Sequence, residues 1–321
     1  MSKVSILTAG KVHPRVIERL EPHFDLIRID RPDPNLVTPD IAARVRGATG
    51  FNGMPAELMA ALPKLEIVAN FGVGYDGVNV AHAAANNIIV TNTPDVLNEE
   101  VADTTLGLLI NTVRLLPRAE TWLRDGRWEK DGAFMLSPLS LRGRSVGIYG
   151  LGRIGMEIAQ RVAAFNLPVS YHTRHERKDV SYRYVATLEE LADSVDTLIC
   201  IVPKTPETHK TINADILKRL GPNGVLINVG RGWTVDEDAL ADALESGVIA
   251  AAGLDVFQDE PRVPARLVSL ENACLLPHVA SASVPTRNAM ADLTAENLIS
   301  WFENGRPVTP VPETPFKGRT A

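Results

Sequence analysis

Cysteine is almost missing from this chain: two among 321 residues, Cys200 and Cys274. Both sit inside apolar runs, Thr197–Val202 and Ala273–Leu276, and read as buried, reduced thiols on strands. Long hydrophobic runs are missing as well. No apolar stretch approaches the roughly 20 residues needed to span a bilayer, and Met1–Ala9 enters a strand-like run with no basic start before a long apolar core. A cytoplasmic protein with no membrane partner is expected. There is no excess of positive charge: 33 Lys and Arg against 39 Asp and Glu leave a net charge of −6, which argues against a nucleic-acid partner. The cysteines and histidines lack ligand spacings such as C-x-x-C or H-E-x-x-H, so no metal site is expected. Internal repeats are absent, and the one biased tract is a Pro-rich tail after Arg306 that is expected to be mobile.

What is present is a composition 45% apolar and 22% charged, that of a globular protein with a real core, at a length that suits two domains or one large α/β domain. Short β-branched runs alternate with helical segments from end to end, the pattern of parallel sheets covered on both faces. In the first hundred residues the spacing predicts strands at Val4–Thr8, Phe24–Ile29, Gly50–Gly53, Glu66–Asn70 and Ile88–Val90. A long helix, Glu99–Leu115, follows as a connector. Then comes an irregular segment, Arg124–Arg144, with Trp122 just before it and Trp128 and Phe134 within it. These aromatics are either anchors of a loop or contacts with a second subunit, and the balance favours the second. The next strands are predicted at Ser145–Tyr149, Val169–Thr173, Thr197–Val202, Gly224–Val229, Ala251–Asp255 and Cys274–Leu276. A closing helix, Thr286–Asn304, stops at Gly305-Arg306-Pro307 and is expected to pack back on the first domain.

The motif Gly150-Leu151-Gly152-Arg153-Ile154-Gly155 is weak evidence taken alone. Here it follows an apolar strand and opens a helix, Met156–Phe165, the context of a dinucleotide-binding turn. The first glycine makes the turn, the second admits a pyrophosphate to the backbone, and the third lets helix and strand pack closely. The helix start then offers N–H groups and a positive dipole end to the phosphates. Roughly 20 residues further on, NAD-specific folds place an acid to hold the ribose 2′-hydroxyl. None stands here. Thr173 and Arg174 occupy the end of that strand, with His172, His175, Arg177 and Lys178 around them. A carboxylate would repel a 2′-phosphate and a guanidinium pairs with one, so NADP is the expected cofactor, with NADPH preferred over NADH.

Five further motifs follow one another in fixed order: Asn70-Phe71-Gly72-Val73-Gly74-Tyr75-Asp76, Asn228-Val229-Gly230-Arg231-Gly232, Val235-Asp236-Glu237, Gly253-Leu254-Asp255-Val256-Phe257-Gln258-Asp259-Glu260-Pro261, and Pro277-His278-Val279-Ala280-Ser281. Over nearly its whole length the chain resembles the D-isomer-specific 2-hydroxyacid dehydrogenases, and within them the glyoxylate/hydroxypyruvate and hydroxyphenylpyruvate reductases. The resemblance implies three catalytic residues. Arg231 would grip the substrate carboxylate and carbonyl oxygen with its fork of donors. His278 would give the proton as general acid, and Glu260 would orient the imidazole and favour its protonated form. Singly, each has a plain alternative, a surface arginine, an exposed loop acid and a hydrogen-bonded core histidine, and for a lone histidine the plain reading is favoured; the shared order and context of all three decide for catalysis.

The resemblance implies further contacts. Val73 and Gly74 match the loop whose backbone N–H groups bind the substrate carboxylate, where a Gly-flanked turn bares its donors. Asn52, Gly53 and Met54 would wall the same pocket. Asp255 would hold the nicotinamide carboxamide and Thr105 would meet the cofactor phosphates. Val202 and Pro203 would lie against the adenosine half, with Val229 and Gly230 also on the cofactor. The expected fold is two doubly wound α/β domains: a flavodoxin-like substrate domain, 1–98 with 285–321, and a Rossmann-type NADP domain, 99–284, with a cleft between them. The expected activity is reduction of small 2-oxo acids, glyoxylate or hydroxypyruvate, to glycolate or D-glycerate by a homodimer. Reduction of aryl-pyruvates is the rival within the family. A nucleotide-sensing corepressor is the rival outside it, disfavoured because the chain has almost nothing beyond an enzyme core.

Overall fold

The computed structural model describes residues 3–50 and 53–316. They divide into two units, one made of the residues up to Leu97 together with those from Ser283 onward, the other of Asn98–Ala282. Each is built on one parallel sheet, the doubly wound α/β architecture expected from the sequence.

In the first unit, β1 (Ser5–Ala9), β2 (Asp25–Ile29), β3 (Val45–Gly50), β4 (Ile67–Asn70) and β5 (Ile89–Thr91) lie in the order β2-β1-β3-β4-β5. The chain turns outward in both directions from β1 and β3, so the switch of strand order lies at their carboxyl ends, Ala9 and Gly50. All five residues of β1 are buried, as a strand covered on both faces requires. The long closing helix, Val284–Asn304, packs in this unit on the helix Pro14–Leu20 and on β4. Ser283 caps its start by accepting from Thr286 N–H, and Gly305, at φ 73°, ends it.

Two expectations need correction here. The third strand runs Val45–Gly50 rather than from Gly50 to Gly53. Its Arg and two Gly residues give poor strand propensity, and pairing with β1 and β4 on either side overrides it. The tail after Arg306 is not free. Val311 N–H donates to Val90 O at 2.9 Å and Val90 N–H donates to Thr314 Oγ1 at 2.9 Å, with Val311 1% exposed; this docking holds through the described residues.

In the second unit, β6 (Val146–Tyr149), β7 (Val169–His172), β8 (Arg183–Tyr184), β9 (Thr197–Cys200), β10 (Val225–Asn228), β11 (Ala251–Leu254) and β12 (Ala273–Leu275) lie in the order β12-β11-β10-β9-β6-β7-β8. The two-residue edge strand β8 escapes a periodicity reading because it is too short to show one. Order reverses between β6 and β9, and ligands of such sheets bind at the carboxyl ends of that pair. The helix Asn98–Arg114 covers β10, β11 and β12 and packs along the helix Arg153–Ala164. Cys200 ends β9 fully buried, and burial pushes its thiol up to about 11. The segment read as irregular holds a short helix, Arg127–Asp131. Trp122 and Phe134 anchor it to itself: their rings meet edge-on at 5.7 Å and Trp122 Nε1 donates to Gly132 O at 3.1 Å. Trp128, by contrast, is 63% exposed. Among the described residues no helix is long and apolar enough to cross a membrane, and no group of three or more His, Cys, Asp or Glu could hold a metal ion.

Candidate active site

The glycine turn leaves the carboxyl end of β6 at the switch point. A Cβ on Gly155 would stand 2.2 Å from Gly150 O, so only glycine lets the helix Arg153–Ala164 start so close to the strand. Gly152 stands at the N-cap with no side-chain cap, and a Cβ there would meet nothing within 4 Å. The first N–H groups of the helix therefore face open room, a cradle suited to an anion. Leu151 is 2% exposed; its side chain belongs to the core and only its backbone can face a ligand. Val202 and Pro203 follow β9, the strand beside β6, and Val229 and Gly230 follow β10. Cβ atoms on Gly150 and Gly230 would approach Ile201 and Val202 to within 2.8 and 3.0 Å, so these turns share one rim. Thr105 is different: it is fully buried and gives its hydroxyl to Val101 O at 2.7 Å, presenting no surface to a ligand in this structure.

Beyond β7, the charges sort themselves. Arg177 pairs with Asp179 and Lys178 with Glu176. Arg177 Nη1 also donates to Leu151 O at 2.8 Å, tying this loop to the glycine turn. Thr173 Oγ1 donates to His175 O at 2.7 Å. Arg174 forms no hydrogen bond or ion pair among the described residues. Bonds from the Glu207 N–H and the Thr205 hydroxyl hold the Glu207 carboxyl below its usual range, and the charge of Arg174 helps them.

The second cluster is built at the ends of β10, β11 and β12. After β10 the buried Asn228 shapes the turn: Gly230 N–H donates to its Oδ1 at 3.1 Å and its Nδ2 donates to Arg231 O at 2.9 Å. Arg231 Nη1 donates to Gly230 O at 2.8 Å. After β11, Phe257 N–H donates to Glu260 Oε1 at 3.0 Å, and Glu260 Oε2 lies 2.7 Å from His278 Nδ1. Burial is the largest influence on the Glu260 carboxyl and opposes its ionisation. The bonds from His278 and Phe257, with the charges of His278 and Arg231, outweigh it and hold the carboxyl below its usual range. An ionised Glu260 accepts from Nδ1–H, which leaves Nε2 as the ring nitrogen without a hydrogen-bond partner among the described residues. His278 itself sits at φ 54°. Its N–H donates to Asp255 O at 2.8 Å, and both Asp255 carboxylate oxygens accept backbone N–H groups, from Val279 at 2.7 Å and Ala280 at 2.9 Å. Asp255 is fully buried, which raises its pKa against those bonds. Its carboxylate seats the histidine segment, a task sequence reasoning missed because the partners are main-chain groups.

In the first unit the structure brings Gly53, Met54, Val73 and Gly74 to the region after β3 and β4; Asn52 lies outside the described residues. Met54 N–H donates to Gly77 O at 2.8 Å. Asn70 Nδ2 donates to the carbonyls of Gly72 and Gly74, at 3.1 and 3.0 Å, and Asn92 Nδ2 donates to Val73 O at 2.9 Å. With those carbonyls held by amides, the N–H groups of Val73 and Gly74 have no partner among the described residues. Bare successive donors of this kind form an anion nest.

A family model described as D-isomer specific 2-hydroxyacid dehydrogenase, NAD binding domain, matches residues 106–280. A glyoxylate/hydroxypyruvate reductase A of Arabidopsis thaliana is 41% identical over 97% of this chain and 100% of its own length. A hydroxyphenylpyruvate reductase of Plectranthus scutellarioides is 46% identical over 84% of this chain and 86% of its own. Among solved structures, the NADPH-dependent glyoxylate/hydroxypyruvate reductase of Sinorhizobium meliloti, in complex with NADP and malonate, is 60% identical. It superposes with a TM-score of 0.97 over 100% of both chains.

Proposed function

The chain belongs to the D-isomer-specific 2-hydroxyacid dehydrogenases, and from that premise we propose that it is an NADPH-dependent reductase of small 2-oxo acids, glyoxylate and hydroxypyruvate. The observation that carries this reading is the 2.7 Å contact between Glu260 Oε2 and His278 Nδ1 with Arg231 in the same charge field. Reduction of a 2-oxo acid needs a grip on the carboxylate, a proton for the carbonyl oxygen and a hydride at the carbonyl carbon. Arg231 supplies the grip through paired donors. His278 gives the Nε2 proton to the carbonyl oxygen as negative charge builds there. Glu260 keeps Nδ1 protonated and the ring oriented. NADPH, when bound, supplies the hydride. The uncapped helix start at Gly152–Gly155 takes the pyrophosphate, the Val202–Pro203 and Val229–Gly230 turns line the cofactor, and Arg174 with Thr173 reads the 2′-phosphate. The Arabidopsis thaliana and Sinorhizobium meliloti relatives, both glyoxylate/hydroxypyruvate reductases, support the reading. The proposal includes a homodimer, which would cover the exposed Trp128 and Leu136.

A panel of glyoxylate, hydroxypyruvate and 4-hydroxyphenylpyruvate, each assayed with NADPH and NADH, tests the proposal. Turnover is expected with the first two, and turnover confined to the aryl acid would transfer the reading to the hydroxyphenylpyruvate branch. NADPH is expected to exceed NADH by about tenfold or more in kcat/KM, a modest return for one charge-assisted phosphate contact. Arg174→Ala should remove most of that preference by weakening NADPH while sparing NADH. Equal losses with both cofactors would show that the 2′-phosphate is read elsewhere.

A further inference from the structure

Glu237 belongs to a motif, Val235-Asp236-Glu237, to which the reaction described above assigns no task. It opens the helix Glu237–Glu245, yet its side chain does not serve that helix. Asp236 is the cap, accepting from Ala239 N–H at 3.4 Å. Glu237 is 9% exposed, and its Oε1 accepts Gln258 N–H at 2.7 Å, across 21 residues of chain. Gln258 follows Phe257, whose own N–H holds Glu260, and Glu260 faces His278. Three consecutive bonds thus lead from Glu237 to the imidazole, by way of one short loop.

The same loop is seated from a second side. The backbone of Gly232, next to Arg231, lies so close to Phe257 that a Cβ there would fall 1.9 Å from Phe257 C. A buried carboxylate is a costly way to hold one N–H: burial raises its pKa, and Asp238 and Asp259 add to that, against the Gln258 bond and Lys210. A helix-start acid left in solvent would avoid the cost. We propose that Glu237 is a positioning residue of the reduction: by holding the Gln258 peptide it fixes the loop Phe257–Glu260, and so sets the Glu260 carboxylate against His278. This rests on the reading of Glu260 and His278 given above. Among the described residues, Asp255 and Arg231 also act on the Glu260–His278 pair.

The test compares Glu237→Met, which keeps volume and removes the acceptor, with Glu237→Gln, which keeps a neutral acceptor. In the Met variant kcat should fall about tenfold and the high-pH limb of reduction should move to lower pH, with NADPH affinity by fluorescence within about twofold of wild type. The Gln variant should stay within about threefold in kcat with its limb in place. Glu237→Asp, which withdraws the acceptor by one methylene, should move the same way as Met and carries the test if the Met variant does not fold. A wild-type profile in the Met or Asp variant overturns the proposal, as does an equal loss in Gln and Met. Glu260→Gln is run alongside. Losing that negative partner disfavours the imidazolium, so its limb should also shift to lower pH. An unmoved limb there overturns the assignment of Glu260 and this proposal with it. A limb moved by Glu260→Gln but not by Glu237→Met overturns the proposal for Glu237 alone.

Discussion

Replacing His278 by alanine is expected to lower kcat for glyoxylate or hydroxypyruvate by roughly 10²–10⁴-fold, the usual range for loss of a general acid, with a smaller change in KM. The argument is one of timing. The carbonyl oxygen carries little charge in the ground state and a full developing negative charge as the hydride arrives, so the Nε2 proton stabilises mainly the transition state. Arg231 acts earlier and longer. Its donors hold the carboxylate from binding onward, so Arg231→Ala should raise KM steeply and also lower kcat, because orientation is lost. NADPH affinity measured by fluorescence without substrate should remain near wild type in both variants, since the glycine turn proposed to hold the cofactor phosphates opens the helix Arg153–Ala164, a different element from the turns that carry Arg231 and His278. A His278→Ala enzyme with near-normal kcat would mean that another group gives the proton, and the fold and cofactor site would stand without this chemistry.

How much of this was legible in the sequence depends on how local each cause is. The glycine turn was legible because six adjacent residues carry both its geometry and its flanking strand and helix. The proposed cofactor preference was read from one missing acid and one arginine, and the structure adds that Arg177 and Lys178 are engaged by Asp179 and Glu176. The Glu260–His278 contact joins residues 18 apart. No periodicity predicts such a contact, and only the resemblance pointed to it. Asp255 and Glu237 were quoted within motifs or given other tasks, because their partners are backbone N–H groups of distant loops, and a sequence does not display main-chain donors. Asn228 was missed because its partners, the nearby Gly230 N–H and Arg231 carbonyl, are main-chain groups too. The same reason hid β3, whose strand character comes from its neighbours, and the docked tail, whose Val311 and Thr314 bond to Val90 across more than two hundred residues.

Gly232→Ala is the substitution for which the fold and the chemistry give one answer. At Gly47 and Gly147 a methyl group would first meet side chains, which can turn away. At Gly232 the built Cβ lies 1.9 Å from Phe257 C, 2.2 Å from Phe257 O and 2.3 Å from Gln258 N. All three are backbone atoms, and the loop that carries them is held by Glu237 and carries Glu260. Relief therefore requires the two chain segments to part by an ångström or more. That separates Arg231, on one segment, from Glu260 and its imidazole on the other. Overpacking of this kind costs roughly 1–3 kcal/mol of stability and sometimes more. Yet the larger effect is expected on the rate, since a displacement of about 1 Å at a reacting constellation can cost about 10²-fold. The expected result is a folded protein with a lowered Tm and kcat/KM down by about 10²-fold or more, while NADPH still binds at the glycine turn. Thermal unfolding, cofactor fluorescence and steady-state kinetics on the same preparation check all three. Wild-type kinetics in a Gly232→Ala protein would show that the two segments need not touch for the reaction to run, and the coupling of Arg231 to the Glu260 loop would have to be abandoned.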